Sequence, residues 1–159
     1  MGKSYFTFLV WFGFILGLPY LAAGGMALYN WYLTVTGEEP LLSNFIPSDL
    51  GVSMVFITTG ALLVAPLYYT RLKPEHTKAL SALLLGSGLS VVAMVIQLLV
   101  AAASWLDGLI VGEPLSPENL YAIITRSDAL LGCFALPLFY ATLRILQHGG
   151  ASPGNGQPR

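Results

Sequence analysis

The residues most able to do chemistry are Arg126 and Asp128, because they stand inside a long apolar stretch. At the centre of a bilayer each would cost about 2.5–3.5 kcal/mol on insertion scales. Counting back along a helix from Arg144, Arg126 sits roughly 27 Å away, near the far membrane surface, where its side chain can snorkel outward. Asp128 is two residues further in and too short to do the same. Residues two apart on a helix do not face one another, so each needs another partner. Asn30 and Gln97 are expected at similar depth. The four form a candidate intramembrane polar cluster, Asn30, Gln97, Arg126 and Asp128, on the general ground that ionisable groups within a span mark functional sites. The competing reading is a structural hydrogen-bond network, with Arg126 touching headgroups.

Other chemistries lack their residues. Cys133 is the single cysteine, which excludes an intrachain disulfide, a redox dithiol and a cysteine metal site. The two histidines, His76 and His148, fall at helix ends rather than in the membrane interior, so an intramembrane bis-histidine haem is not expected. Glu75-His76 lacks the HExxH pattern of a metalloprotease. Ser90 has no histidine at depth to act as its base, and no glycine-rich phosphate loop is present. We expect no catalytic residue, no metal and no cofactor.

The elements that must position these residues follow from composition. The 159-residue chain is 55% hydrophobic and 9% charged, with mean hydropathy +0.72. Soluble domains carry about 25% charged residues, so lipid has to be the solvent for most of this surface. The net charge of −1 and the lack of a basic stripe give no footprint for nucleic acid. Four apolar stretches stand between charges and turn residues, with helices expected at about 5–34, 49–72, 78–106 and 117–147. They are too long and too uniformly apolar for alternating barrel strands. The apolar run after Lys3 continues past the 7–15 residues of a secretory core, so a first membrane helix is favoured over a cleaved signal, with Ala22-Ala23-Gly24 as the minor alternative cleavage site. Ser48-Asp49 and Ser116-Pro117-Glu118 read as helix starts, Gly149-Gly150 as the last stop, and 151–159 as a disordered tail. Lys3, Arg71, Lys73, Lys78, Arg144 and Arg159 flank one side. Glu38, Glu39, Asp49, Asp107, Glu113 and Glu118 flank the other. The positive-inside bias thus predicts a multi-pass cell-membrane protein with both termini cytoplasmic. Trp31, Tyr32 and Trp105 outside, and Tyr68, Tyr69 and Tyr140 inside, fit interfacial belts.

The two halves of the chain, 1–75 and 76–148, also resemble each other. Trp31 precedes Pro40 by nine residues and Trp105 precedes Pro114 by nine. Glu39-Pro40-Leu41 matches Glu113-Pro114-Leu115, and Ala65-Pro66-Leu67-Tyr68-Tyr69 echoes Leu136-Pro137-Leu138-Phe139-Tyr140. Two tandem, parallel helical hairpins account for this order. The matched prolines allow a kink in each even helix, but ordinary helix-end geometry is the favoured explanation. Small residues suited to close helix approach lie on the first helix (Gly13, Gly17, Gly24) and on the third (Ala82, Gly86, Ser90). They predict that these two helices meet at the bundle centre.

The expected fold is therefore an all-α integral membrane four-transmembrane-helix bundle. The leading functional expectation is a non-catalytic subunit or assembly partner of a larger membrane complex, a respiratory one among the options. The alternative is an oligomeric transporter or channel using the outer polar cluster, and a lipid-modifying enzyme is a distant third. Expected partners are the lipid bilayer and either other proteins or further copies of the chain.

Overall fold

The computed structural model describes residues 3–43, 45–71, 75–112 and 126–149, and these are helical apart from short connections. The helices are α1 (Lys3–Thr36), α2 (Leu50–Arg71), α3 (His76–Val111) and α4 (Ser127–Gly149). All four are long and apolar enough to cross a membrane. At 1.5 Å per residue the 22 residues of α2 span about 33 Å, close to the hydrocarbon thickness. The 34 residues of α1 and 36 of α3 reach about 51 and 54 Å. Helices continue through Pro19, Pro66 and Pro137, which neighbouring helices make tolerable in lipid.

Six of the helix limits lie within two residues of expectation, but α3 extends five residues further, to Val111. The helix-favouring apolar run Leu109-Ile110-Val111 continues past Asp107, and only Gly112 ends it. Gly112 adopts φ 79° and its N–H bonds to Gly108 O, the left-handed terminator that glycine accommodates without a Cβ penalty. Gly37, with φ 83°, follows α1 in the same way, and Glu38 N donates to Leu33 O there. The proposed start Ser116-Pro117-Glu118 and the tail 151–159 lie outside the described residues. Asp49 does cap α2: its Oδ1 accepts the Val52 N–H at 2.8 Å.

Packing is sequential. α1 lies chiefly against α2, α2 against α3, and α3 against α4, whereas α1 touches α4 lightly and α3 barely. The expectation that α1 and α3 meet along their small faces is therefore corrected. Gly17 and Gly24 of α1 turn toward α2, where a Cβ on Gly24 would fall 2.9 Å from Ile57 N. A Cβ on Gly60 of α2 would fall 2.9 Å from Leu21 N and 3.0 Å from Gly17 O. Gly86 of α3 also faces α2, against Leu62 and Leu63. Ser90 receives α4, its carbonyl lying 3.2 Å from where a Gly132 Cβ would stand. Small residues let backbones approach, and here the close approaches at Gly17, Gly24, Gly60, Gly86 and Gly132 are made to the sequence neighbour rather than the diagonal helix. Gly13 is the exception, facing the Leu83 side chain of α3. The core under these contacts is Leu9, Val10, Leu16, Tyr20, Phe56, Leu63, Leu83, Ala135 and Leu138.

Candidate functional site

The residues of the expected polar cluster divide between different tasks. Asn30, on the last turns of α1, is fully buried. Its Nδ2 donates to Leu41 O (2.7 Å) and Ile46 O (3.3 Å), and its Oδ1 accepts the Leu41 N–H (3.0 Å). The amide thus pulls the connection after α1 back onto the helix. It holds Leu42 at φ 50°, a left-handed conformation that costs a non-glycine residue roughly 1–2 kcal/mol. Phe45 O in turn accepts the N–H of Ser127 at 3.2 Å, so this loop lies between Asn30 and the start of α4. Arg126, half-buried, immediately precedes α4 and takes part in interactions of its own. Asp128 belongs to the first turn of α4.

Gln97 goes elsewhere. It lines a cleft of about 280 Å³ between α2 and α3, with Asp49, Val52, Phe56 and Ala93. Among the described residues no hydrogen bond joins Gln97 to Asn30. The reason is geometric. Asn30 is turned toward its own loop, while Gln97 sits on the side of α3 that faces α2. One loop links Asn30 to the base of α4, and Gln97 stands apart from it.

A second polar set lies deeper in the bundle. Ser53, Thr59, Ser87, Ser90 and Thr142 are all buried and distributed along the length of the helices. Four of the five are satisfied, two of them within their own helix. Ser87 donates to Leu83 O (2.6 Å), Thr142 to Leu138 O (2.7 Å), and Ser53 crosses to Gly24 O of α1 (2.8 Å). At mid-depth the Tyr20 hydroxyl pairs with Ser90 Oγ, joining α1 to α3 across the bundle. The Tyr20 ring meets Phe56 edge-on at 5.7 Å. One turn beyond Phe56, Thr59 Oγ1 is buried without a hydrogen-bond partner, a condition worth about 1–3 kcal/mol of destabilisation. Tyr20 could have been found from sequence. A tyrosine at the middle of an apolar run is no interfacial anchor, so its hydroxyl requires an internal partner. Nothing in the pattern around Thr59 distinguishes it from the other buried hydroxyls.

These groups orient helices. Hydroxyls and amides can donate and accept hydrogen bonds; neither set contains an imidazole or thiolate, and the one carboxylate among them is that of Asp128. Among the described residues no three histidine, cysteine, aspartate or glutamate side chains converge on a possible metal position. Cys133 lies 3.6 Å from the Met94 sulfur, a soft packing contact between α4 and α3.

No protein-family model, curated protein or solved structure matches the chain.

Proposed function

We propose that the protein is a non-catalytic, multi-pass subunit or assembly partner of a larger membrane complex. It is read as two tandem hairpins, 1–75 and 76–148, inserted in parallel into the cell membrane with cytoplasmic termini. The observation that carries the subunit reading is the outer part of α3. From Leu98 to Val111 nearly every residue is exposed, including Leu99 at 64% and Ile110 at 84%. None of the described helices covers it. That segment is about 20 Å of apolar helix with a run of small residues, Ala101-Ala102-Ala103-Ser104, the composition through which membrane helices pack closely.

The duplication is supported by more than the sequence motifs. A close approach in each of the two helix pairs corresponds. Gly60 lies against Gly17 O in the first pair and Gly132 against Ser90 O in the second, and the equivalent residues are 72 and 73 positions apart. Those intervals fall between the 74 separating Trp31 from Trp105 and the 71 separating Pro66 from Pro137. The left-handed glycines Gly37 and Gly112 also end equivalent helices. A transporter reading gains nothing comparable, since Asn30 commits its amide to a loop and Gln97 faces another cleft.

Copurification of the tagged chain from its native membranes tests the subunit reading. The expected result is a stable complex with other polypeptides that Ala103→Trp on outer α3 disrupts and Ile15→Trp on the exposed face of α1 leaves intact. A chain recovered only as itself, or a complex indifferent to Ala103→Trp, overturns it.

A further inference from the structure

We propose that the groove between α1 and α2 is a binding site for one anionic phospholipid, with an acyl chain between the helices and the headgroup phosphate at Arg71. The groove has a volume of about 630 Å³ and is lined by Leu21, Ala61, Val64, Ala65, Tyr68 and Arg71, among others. Ala61 and Ala65 are one turn apart on α2, so their missing side-chain bulk opens a channel parallel to the helix. From Ala61 to Arg71 it runs about 15 Å, which is half the ~30 Å hydrocarbon core and so the depth of one leaflet. An acyl chain entering at Arg71 therefore ends near the bilayer midplane.

The mouth has the chemistry of a headgroup. Arg71 also lines an adjoining pocket of about 250 Å³ with Thr7, Trp11, Thr70 and His76, so its guanidinium stands where the apolar groove meets a polar one. That guanidinium lies 5.2 Å from the centre of the Trp11 ring. The ring fixes its direction without neutralising its charge, leaving the fork of N–H donors for a phosphate. The nearby carboxylate of Glu75 is engaged by Lys78 at 2.5 Å. Among the described residues Arg71 has no acidic partner. Its positive charge at a membrane surface selects an anionic lipid over a zwitterionic one. The site does not depend on the chain's membership of a complex, because its test uses the purified protein alone.

The full chain is equilibrated in mixed micelles with equimolar phosphatidylglycerol and phosphatidylcholine, and retained lipid is read by native mass spectrometry. Phosphatidylglycerol is expected to be retained preferentially. Arg71→Gln should reduce that preference about fivefold, the worth of one basic side chain near anionic lipid, and Arg71→Lys should keep most of it. Excess inorganic phosphate should not displace the lipid, because it lacks the chain that fills the groove. Ala61→Phe, which blocks the groove from an exposed position, should lower retention of both lipids while helicity by circular dichroism is unchanged. If that variant fails to fold, the Arg71 pair alone decides the matter. Equal retention of the two lipids, an unchanged preference in Arg71→Gln, or an Ala61→Phe variant that loses self-association but not lipid would each overturn the proposal.

Discussion

The C-terminal ends of α1 and α3 begin alike and finish differently. Each carries a tryptophan, Trp31 or Trp105, six or seven residues before a left-handed glycine and an acidic Pro-Leu sequence. Yet Asn30 and Leu33 on α1 are buried, whereas Ser104, Trp105 and Leu106 on α3 are exposed. The position equivalent to Asn30, 74 residues on, is Ser104. A carboxamide can hold the N–H and C=O of one returning residue at once, as Asn30 does with Leu41. A serine hydroxyl is shorter and has one donor. The contrast teaches what one two-ended side chain does at the end of α1: it folds the connection back onto the helix, whereas among the described residues no element covers the end of α3.

The comparison breaks most severely at Asn30. Asn30→Ala should leave Leu41 N and two carbonyls without their partner, destabilising the protein by about 2–3 kcal/mol. Reversible unfolding in detergent would measure this, and proteolysis should open the connection between Thr36 and Leu50 first. Asn30→Ser, which imitates α3, should cost nearly as much; full retention of stability would remove the explanation given for the asymmetry. Next comes the tight approach of α1 to α2. Gly60→Ala places a methyl against Leu21 N and Gly17 O and should cost about 1–3 kcal/mol of overpacking. Ser53→Ala removes the bond to Gly24 O and should cost about 0.6 kcal/mol, the average for a hydrogen bond between membrane helices. The smallest effect reverses the sign. Gly25 has no atom within 4 Å of a built Cβ, so Gly25→Ala should stabilise α1 by about 0.5–1 kcal/mol, while the adjacent Gly24→Ala destabilises it. Equal effects at these neighbours would refute the packing of α1 on α2.

Much of the fold was legible because lipid imposes a strict rule on the backbone. Uniform apolar runs such as Leu50–Tyr69 can satisfy their peptide groups only as helices, so their number and approximate limits follow from composition. Asp49 was readable as a cap for a local reason, since the bond to Val52 spans one turn. Partner choice was not legible in the same way. Gly17, Gly24 and Gly86 each announced a close approach, but a small residue carries no information about which backbone will fill the space. The same ground separates Asn30 from Gln97. Depth along a helix placed Asn30 and Gln97 together, while rotation about the helix axis turned them apart.

What the sequence by itself determined is the helical, membrane-suited character of the chain, because that depends on composition averaged over each long segment. It also displays the paired motifs of the two halves. Only the tertiary structure decided that α1 belongs with α2, that Tyr20 reaches Ser90 across the bundle, that Asn30 serves a loop, and that a groove one leaflet deep ends at Arg71. Those outcomes depend on the azimuth of single side chains and on contacts between residues far apart in the chain. In these apolar helices, with polar groups scattered along their buried sides, residue type constrains depth far more than direction.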